Sequence, residues 1–326
     1  MSATYGIDVA ARDDPYVKNA DGALDGIVHA AVPGTFWVVR LLEHFLIAAF
    51  EGDYQDYLPI LKYIPPWFPG ASFRRKAEIW KGYSMALLSK PYQEVKKQME
   101  NGTCKPSFVY HCLQNIESDR DIDHQEDIIQ GTAGTMYIGG TDTTVAALNS
   151  FFLAMVLYPD VQKRTQEELD RVIGFGRLPS HSDEADLPYM TAVMYEVLRT
   201  QPVTPIGIPH YTTEDDYYRG YYIPKDSVVI SNIWAILHDK DMYPDPDTFN
   251  PSRWLTPDGT GINTDLRDIM ANFGFGRRVC PGAHMALSST WMTMASVLLT
   301  FNISEKVTEN GETIKLTGEY ESSLQK

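Results

Sequence analysis

Cysteine is scarce in this sequence, and its scarcity excludes one class of fold. The 326 residues contain three cysteines, Cys104, Cys112 and Cys280. Three cannot build the closed disulfide framework of a small secreted protein, so a reducing compartment fits better. For Cys104 and Cys112 we expect ordinary thiols of the core, since a lone cysteine most often behaves as a small hydrophobic residue.

Positive charge is also in short supply. The chain has 28 Lys and Arg against 43 Asp and Glu, a formal net charge of −15. Because binding to nucleic-acid phosphates requires clustered cations, we expect no nucleic acid among its partners.

A long uninterrupted apolar run is missing near the start. The first 16 residues are polar and resemble no signal peptide. The most apolar early stretch, residues 27–50, contains Pro33, Arg40, Glu43 and His44. A membrane-spanning helix needs about 18 apolar residues with few charges, so we expect no membrane span here. Without an anchor, this chain is expected in the cytoplasm or at a location that the sequence does not specify.

The residues that are present predict a mainly α fold with a minor β-sheet. With 44% hydrophobic residues, 23 Gly and 20 Pro, the composition is that of a globular protein. Tyr, Ile, Val and Thr between Gly and Pro predict short strands and a hairpin over 206–237. Apolar periodicity predicts helices over residues 74–102, 105–115, 125–158, 160–174, 187–202 and 283–301.

Proline and glycine set the expected ends of these helices. Pro91 should bend or break the helix over 74–102, which Gly102 would cap. Pro159 should end the helix over 125–158 and Pro202 the one over 187–202. Gly174 should close the amphipathic helix between them.

The run 125–158 is apolar nearly all round, so we expect it to cross the centre of the protein. It contains "GGTDTT", in which two glycines cost about 1 kcal/mol each relative to alanine. On this segment alone we favour close helix packing, with hydroxyls bonding back to the preceding turn. The alternative is a groove for a ligand at Gly139 and Gly140, where Asp142 and Thr143 relay protons.

Two further segments are unremarkable in isolation. "YEVLR" places Glu196 and Arg199 three positions apart on one helical face. As an exposed pair they would contribute a few tenths of a kcal/mol. "FNPSRW" is a turn with Arg253 between aromatic residues.

The decapeptide "FGFGRRVCPG" at 273–282 is more specific. Gly274 and Gly276 permit tight turns, and Cys280 stands near Arg277 and Arg278 just before a predicted helix. Helix dipole and cations both favour a thiolate. Cys280 is therefore either a half-buried thiol in a turn or a metal ligand, and its surroundings favour the ligand.

The number of donors narrows the choice of metal. A structural zinc ion needs four protein ligands, and near Cys280 the sequence has no second cysteine and one histidine, His284, which is too few. Iron already held in a macrocycle needs only an axial donor, as in heme with a cysteinate ligand.

The four motifs, "GGTDTT", "EVLR", "FNPSRW" and "FGFGRRVCPG", occur in an order similar to that of the cytochrome P-450 superfamily of heme-thiolate monooxygenases. Intervening stretches such as "RLPSHSDEADLPYM" resemble fungal, particularly basidiomycete, members labelled O-methylsterigmatocystin oxidoreductase-like. The resemblance covers nearly the whole chain. It implies a partial cytochrome P-450 domain over 1–326, helical to about residue 200, with a small sheet, the heme-thiolate loop and a final helix over 201–326.

The resemblance also implies what this chain lacks. We expect the N-terminal third of the fold, with its membrane anchor and first strands, and the last strands to be absent. Residues 40–55 interrupt a stretch that is continuous in relatives, and we attribute them to a retained intron or a gene-model error. Ser252, Thr200 and Ala283 differ from the residues common in relatives. None of these differences removes a ligand.

Around the cysteine, the resemblance assigns four residues to the proximal side of the heme. Cys280 is the axial ligand of the iron, Phe273 packs beside the thiolate, and Gly276 and Gly282 shape the loop.

Other matching positions would hold the edge of the heme and the fold behind it. Arg278 and His210 would contact the heme propionates. Glu196, Arg199 and Arg253 would form a buried structural network, in which removal of one partner costs about 3–5 kcal/mol.

On the central helix, the resemblance makes Asp142 and Thr143 the acid–alcohol pair that delivers protons to dioxygen so that its O–O bond cleaves. Gly139 and Gly140 would line the oxygen groove.

The implied activity is insertion of one atom of dioxygen into an apolar small organic molecule, in secondary or xenobiotic metabolism. It requires heme b, dioxygen, and electrons from NADPH through NADPH-cytochrome P-450 reductase. Full-length relatives are expected in the endoplasmic reticulum membrane. The substrate pocket would draw on parts of 36–68, 132–141 and 203–209.

Two alternatives stay open at this point. The expected truncation favours a non-catalytic fragment or pseudogene product, because an incomplete distal wall would leave the iron wet. A heme-thiolate isomerase or dehydratase has less use for a proton relay, so the pair Asp142 and Thr143 argues against it.

Overall fold

The computed structural model describes residues 1–31, 65–68, 71–266, 269–308, 310–311, 313–314 and 316. The chain forms two compact units, one up to Thr141 and one from Asp142 onward. The interrupting segment 40–55 lies outside the described residues, as does most of the predicted pocket segment 36–68.

The first unit is helical. Its helices are α1 (Ser2–Tyr5), α2 (Pro15–Ala31), α3 (Ser72–Glu100), α4 (Phe108–Gln114) and the first part of α5 (Ile122–Leu157). The predicted start of α4 is confirmed, because the Ser107 hydroxyl caps it by accepting a hydrogen bond from the backbone N–H of Tyr110 at 3.2 Å.

Helix α3 runs without a break through Pro91, so the predicted break at this proline is wrong, while a bend there stays a prediction. Proline in a helix costs about 3 kcal/mol through the lost hydrogen bond and steric clash. Here Pro91 is buried together with Tyr92 and Val95, and this packing offsets the cost. The predicted C-terminal glycine is confirmed, since Gly102 has a φ of 68°.

The second unit combines helices with two small sheets. The helices are the rest of α5, α6 (Pro159–Val172), α7 (Pro188–Thr200), α8 (Ile233–Leu237) and α9 (Ala283–Thr300). Strands β1 (His210–Tyr211) and β4 (Val228–Val229) pair antiparallel, and β2 (Asp216–Tyr218) and β3 (Tyr221–Ile223) form an antiparallel hairpin. The predicted mainly α fold with a minor β-sheet is confirmed.

Helix α7 lies in the core of the second unit. It contacts α6, α9 and the short turn Pro251–Trp254. The indole N–H of Trp291 on α9 donates to the hydroxyl of Thr191 at 3.0 Å, and both side chains are buried. This packing fixes α7 beside α9, the helix that follows the decapeptide 273–282, which is called the cysteine loop below.

The prediction that α5 crosses the protein centre is wrong for the described residues. Only 22% of its most apolar 18-residue window is buried. One narrow stripe faces the core in each unit, because neighbours in the described chain cover a single helical face. The stripes consist of Ile129, Ala133 and Tyr137 in the first unit and Ala147, Phe151, Ala154 and Met155 in the second.

Two glycines of α2 allow close approach to α3, which gives a first testable prediction. A Cβ added at Gly26 would lie 2.7 Å from Trp80 Cγ, and the Trp80 indole donates to Asp25 at 2.9 Å. We expect Gly26→Ala to lower the free energy of unfolding by about 1–3 kcal/mol through overpacking. Gly82→Ala on α3, where an added Cβ meets no described atom within 4 Å, is the control. It should be stabilising by up to about 1 kcal/mol. Urea unfolding measures both, and equal effects would contradict this packing.

Candidate functional site

The cysteine loop is a closed turn. A 3-10 turn over Ile269–Phe273 leads into Gly274, and a second one spans Gly276–Arg278. The backbone N–H of Cys280 then donates to the carbonyl oxygen of Phe273 at 2.7 Å. Gly274 and Gly276 have φ values of 82° and 61°, which a side chain would strain. The glycines thus allow the loop to close beneath the thiol.

The thiol of Cys280 faces solvent. Helix α9 begins three residues later, and its first turn is closed by the bond from the backbone N–H of Ala286 to the carbonyl of Gly282 at 2.8 Å. Cys104 and Cys112 are half-buried, and burial raises the pKa of both thiols. Of the three cysteines, Cys280 is the one presented for ligation.

The side chains that neighbour Cys280 in the sequence suit a flat apolar ligand with anionic edges. Phe275, Val279 and Met285 are 48%, 41% and 62% exposed. Arg277 and Arg278 are exposed on the same loop. The described residues contain no group of three or more His, Cys, Asp or Glu that could hold a metal ion. A single thiol beside apolar and cationic side chains therefore fits a metal carried in a macrocycle, and the residues fit heme.

His210 is exposed in β1, opposite Val229. In the described part of the chain no hydrogen bond or ion pair joins His210 to Arg278. Their shared contact with heme propionates stays a prediction.

The glycines of α5 do not serve close packing. A Cβ added at Gly139 or Gly140 would meet no described atom within 4 Å. The close-packing interpretation is therefore wrong for these two positions among the described residues. The other expectation, that hydroxyls of this segment bond back to the preceding turn, is met at the next residue. The Thr141 hydroxyl donates to the carbonyl of Tyr137 at 2.7 Å. Asp142 is half-buried and Thr143 is exposed, one helical step apart.

Opposite effects on stability and ligand binding are expected at Gly139. Because its surroundings are open, Gly139→Ala should raise the free energy of unfolding by up to about 1 kcal/mol. If this face lies against a ligand, the same methyl group should weaken dioxygen or carbon monoxide binding to the heme-loaded chain. Urea unfolding and gas titration measure the two effects. Gly131→Ala, at an equally open position of α5, should change stability alone. Identical gas affinities in both variants would contradict the groove.

The structure brings Glu196, Arg199 and Arg253 together. Arg199 donates to both carboxylate oxygens of Glu196 at 2.9 Å, and both side chains are fully buried. Nε of Arg253 donates to the same carboxylate at 3.1 Å, and its side chain is 8% exposed. This buried geometry differs from the solvated pair that the spacing alone would give.

Two further donors to Glu196 were missed by sequence reasoning. The indole N–H of Trp254 donates to it at 2.8 Å and the backbone N–H of Asn250 at 2.8 Å. The carboxylate thus accepts five hydrogen bonds, which offset its desolvation. Both donors lie within "FNPSRW", so the motif was the signal, although nothing local revealed their target.

The remaining polar groups of the network bond to the loop 237–248. Arg199 donates to the carbonyls of Leu237 and Pro246 at 3.0 and 2.8 Å. Arg253 donates to those of Pro244 and Thr248 at 2.7 and 3.1 Å. The two guanidinium groups therefore hold this loop against α7.

The positions that depart from relatives are accommodated. The Ser252 hydroxyl accepts a hydrogen bond from Arg164 at 2.9 Å, and the Thr200 hydroxyl donates to the carbonyl of Glu196 at 2.8 Å. Ala283 is buried at the start of α9.

Among the described residues, α5 is the one helix long and apolar enough to cross a membrane by length and composition. Core helices of soluble proteins meet the same criterion, and seven of its residues belong to the two cores.

The comparisons with known proteins agree with these features. The family model described as Cytochrome P450 matches residues 40–320. Cytochrome P450 monooxygenase 98 of Postia placenta is 43% identical over 98% of this chain and 58% of its own length. Tryptamine 4-monooxygenase of Psilocybe cyanescens is 42% identical over 96% and 58%, and cytochrome P450 monooxygenase ple1 of Rhodocybe pseudopiperita is 40% identical over 99% and 58%.

The chain thus spans somewhat more than half the length of these relatives. Its matched region includes the central helix, the Glu196 network and the cysteine loop. Because the family model matches most of its residues, the chain belongs to the cytochrome P450 family.

Proposed function

We propose that the chain is part of a heme-thiolate monooxygenase acting on an apolar small organic molecule. The observation that carries the proposal is the solvent-facing thiol of Cys280 on a closed glycine loop that ends at the start of α9. Cys280 would be the axial ligand and Phe273, half-buried beside it, a packing partner. Gly276 and Gly282 would keep the loop narrow.

Heme, when bound, supplies an iron centre that activates dioxygen, with electron donation from the thiolate. Overall, substrate, dioxygen, two electrons and two protons give hydroxylated substrate and water. We propose NADPH, through a cytochrome P-450 reductase, as the electron source, and the endoplasmic reticulum membrane as the site of the whole protein.

The chain's own residues would bind the heme edge and move protons. Arg278 and His210 are exposed cations or hydrogen-bond donors suited to the propionates. Asp142 would take protons from solvent, and the Thr143 hydroxyl would pass them to dioxygen in the site. Gly139 and Gly140, where an added Cβ meets no described atom within 4 Å, would leave room for dioxygen on the same helix.

Replacing Thr143 by alanine tests the relay. With reductase, NADPH and an oxidisable substrate, we expect Thr143→Ala to consume NADPH while product per NADPH falls about tenfold or more, since general acid catalysis contributes about 10²–10⁴-fold. The balance should appear as hydrogen peroxide. Product, NADPH and peroxide are measured together.

Thr144→Ala, one residue along α5, is the matched control and should keep its product yield. A Thr143→Ala variant that converts substrate normally without consuming dioxygen would favour the isomerase or dehydratase instead. A wild-type chain that binds no heme would favour the non-catalytic fragment.

A further inference from the structure

The hairpin β2–β3 exposes an unusual amount of aromatic surface. Tyr217, Tyr218, Tyr221 and Tyr222 are 52–76% exposed. Tyr217 and Tyr222 form a cross-strand pair with ring centroids 5.2 Å apart, and the Arg219 guanidinium lies 5.3 Å from the ring of Tyr218. Tyrosine combines large apolar area with a polar tip and is enriched at the energetic centres of protein interfaces.

An acidic segment, called the acidic turn below, precedes these tyrosines and ends at the first residue of β2. Glu214, Asp215 and Asp216 are consecutive and exposed. Asp215 accepts a hydrogen bond from the backbone N–H of Lys225 at 2.8 Å, and Asp216 accepts one from that of Tyr217 at 2.7 Å. Within the described residues no Lys or Arg side chain forms an ion pair with any of the three carboxylates. The acidic turn therefore presents negative charge that the described Lys and Arg side chains leave uncompensated.

The wider segment 210–226 is also acidic, with four carboxylates against Arg219 and Lys225. A cationic partner would gain from this imbalance, and an anionic one would be repelled.

The backbone of the hairpin offers unpaired edges. In the described part of the chain β2 and β3 pair with each other in a two-stranded sheet, so neither outer edge has a partner strand. On β2 the backbone N–H of Tyr217 is already bonded to Asp216, which leaves the edge of β3 as the one open to a further strand. A two-stranded hairpin by itself is marginally stable, and such edges accept a further strand from another chain.

We infer that the hairpin, with its acidic turn, is a docking surface for an extended segment of a partner protein rich in Lys and Arg. The partner segment adds as a third strand. Its cations meet the carboxylates of the turn and the faces of the tyrosine rings. A bilayer would suit the tyrosines, but the negative surface of a cytoplasmic leaflet would repel the turn. This inference is independent of the heme chemistry proposed above.

A fluorescent nonapeptide of alternating Arg and Val serves as the probe, titrated against the 326-residue chain by anisotropy. The charge-neutral variant Glu214→Gln/Asp215→Asn/Asp216→Asn should weaken binding about fivefold to tenfold at low salt, and less at high salt. Tyr217→Leu/Tyr222→Leu, which removes the π-faces and keeps apolar bulk, should weaken it about threefold or more.

The mode of binding is tested with the same peptide N-methylated at every residue, which keeps its charge and leaves no backbone N–H on either edge to pair as a strand. We expect its affinity to fall at least about tenfold, since main-chain hydrogen bonds carry strand addition. Equal affinities of the two peptides would overturn the inference that the partner segment adds as a strand.

The matched control Glu100→Gln/Asp119→Asn/Asp186→Asn removes three exposed carboxylates elsewhere. It should leave affinity within about twofold, because it changes the net charge by the same amount and alters no residue of the segment 210–226. An equal loss in the control would show general attraction to an acidic chain and overturn the inference. So would binding to phosphatidylserine vesicles that needs Tyr217 and Tyr222 but not the acidic turn.

Discussion

Cys280→Ser should abolish the thiolate spectrum of the heme-loaded chain. Reduced under carbon monoxide, the wild-type chain should show the strongly red-shifted Soret band of a thiolate-ligated ferrous heme. The serine variant should show none, because a neutral hydroxyl is a poor substitute for a thiolate in bonding iron. The loop itself should persist, since its closing bond uses the backbone N–H of residue 280 and the carbonyl of Phe273.

Cys104→Ser and Cys112→Ser are the controls. Both thiols are half-buried with raised pKa values, so neither is suited to bind iron. Both variants should keep the red-shifted band. A wild-type chain that takes up heme but gives only the shorter-wavelength band would show that Cys280 is not bonded to iron, and the proposed function would fail with it.

Glu196→Ala should be the most destabilising substitution in the Glu196 network. It strips Arg199, Arg253 and the Trp254 indole of their common acceptor at a buried position. Leaving a buried charge without its partner costs about 3–5 kcal/mol. Urea unfolding, followed by circular dichroism, should show this loss in the free energy of unfolding.

The chain contains a matched control for this experiment. Glu117 and Arg120 have the same spacing of three residues and a contact of 2.7 Å, but both side chains are more than half exposed. Glu117→Ala should change the free energy of unfolding by less than about 1 kcal/mol. If the two variants lose similar amounts, the buried network does not stabilise the fold as its geometry indicates.

Local chemistry made much of the fold predictable from sequence. The ends of α4, α6 and α7 follow from Ser107, Gly174 and Pro202, because caps and breakers act within one turn of the residue that supplies them. The hairpin turn at Arg219 and Gly220 lies between tyrosine-rich strands, where positive φ is required. The cysteine loop was also predictable from the sequence, because its glycines, arginines and thiol are contiguous.

Burial could not be predicted from the sequence in the same way. Glu196 and Arg199 have the spacing of an ordinary surface pair, and only packing of α7 against α6, α9 and the turn Pro251–Trp254 removes them from water. Pro91 likewise lies on a buried face of α3, next to Tyr92 and Val95, which share a core with Tyr5 and Val109 from distant parts of the sequence.

The central helix shows the converse. Its composition predicts burial all round, and the tertiary structure covers one stripe in each unit. The sequence by itself determined the helix boundaries, the glycine loop and the position of the thiol, because each depends on residues adjacent in the chain. Which carboxylate is buried, which glycines face open space and which tyrosines stay exposed were decided by tertiary structure alone, because solvent access depends on residues far apart in the sequence.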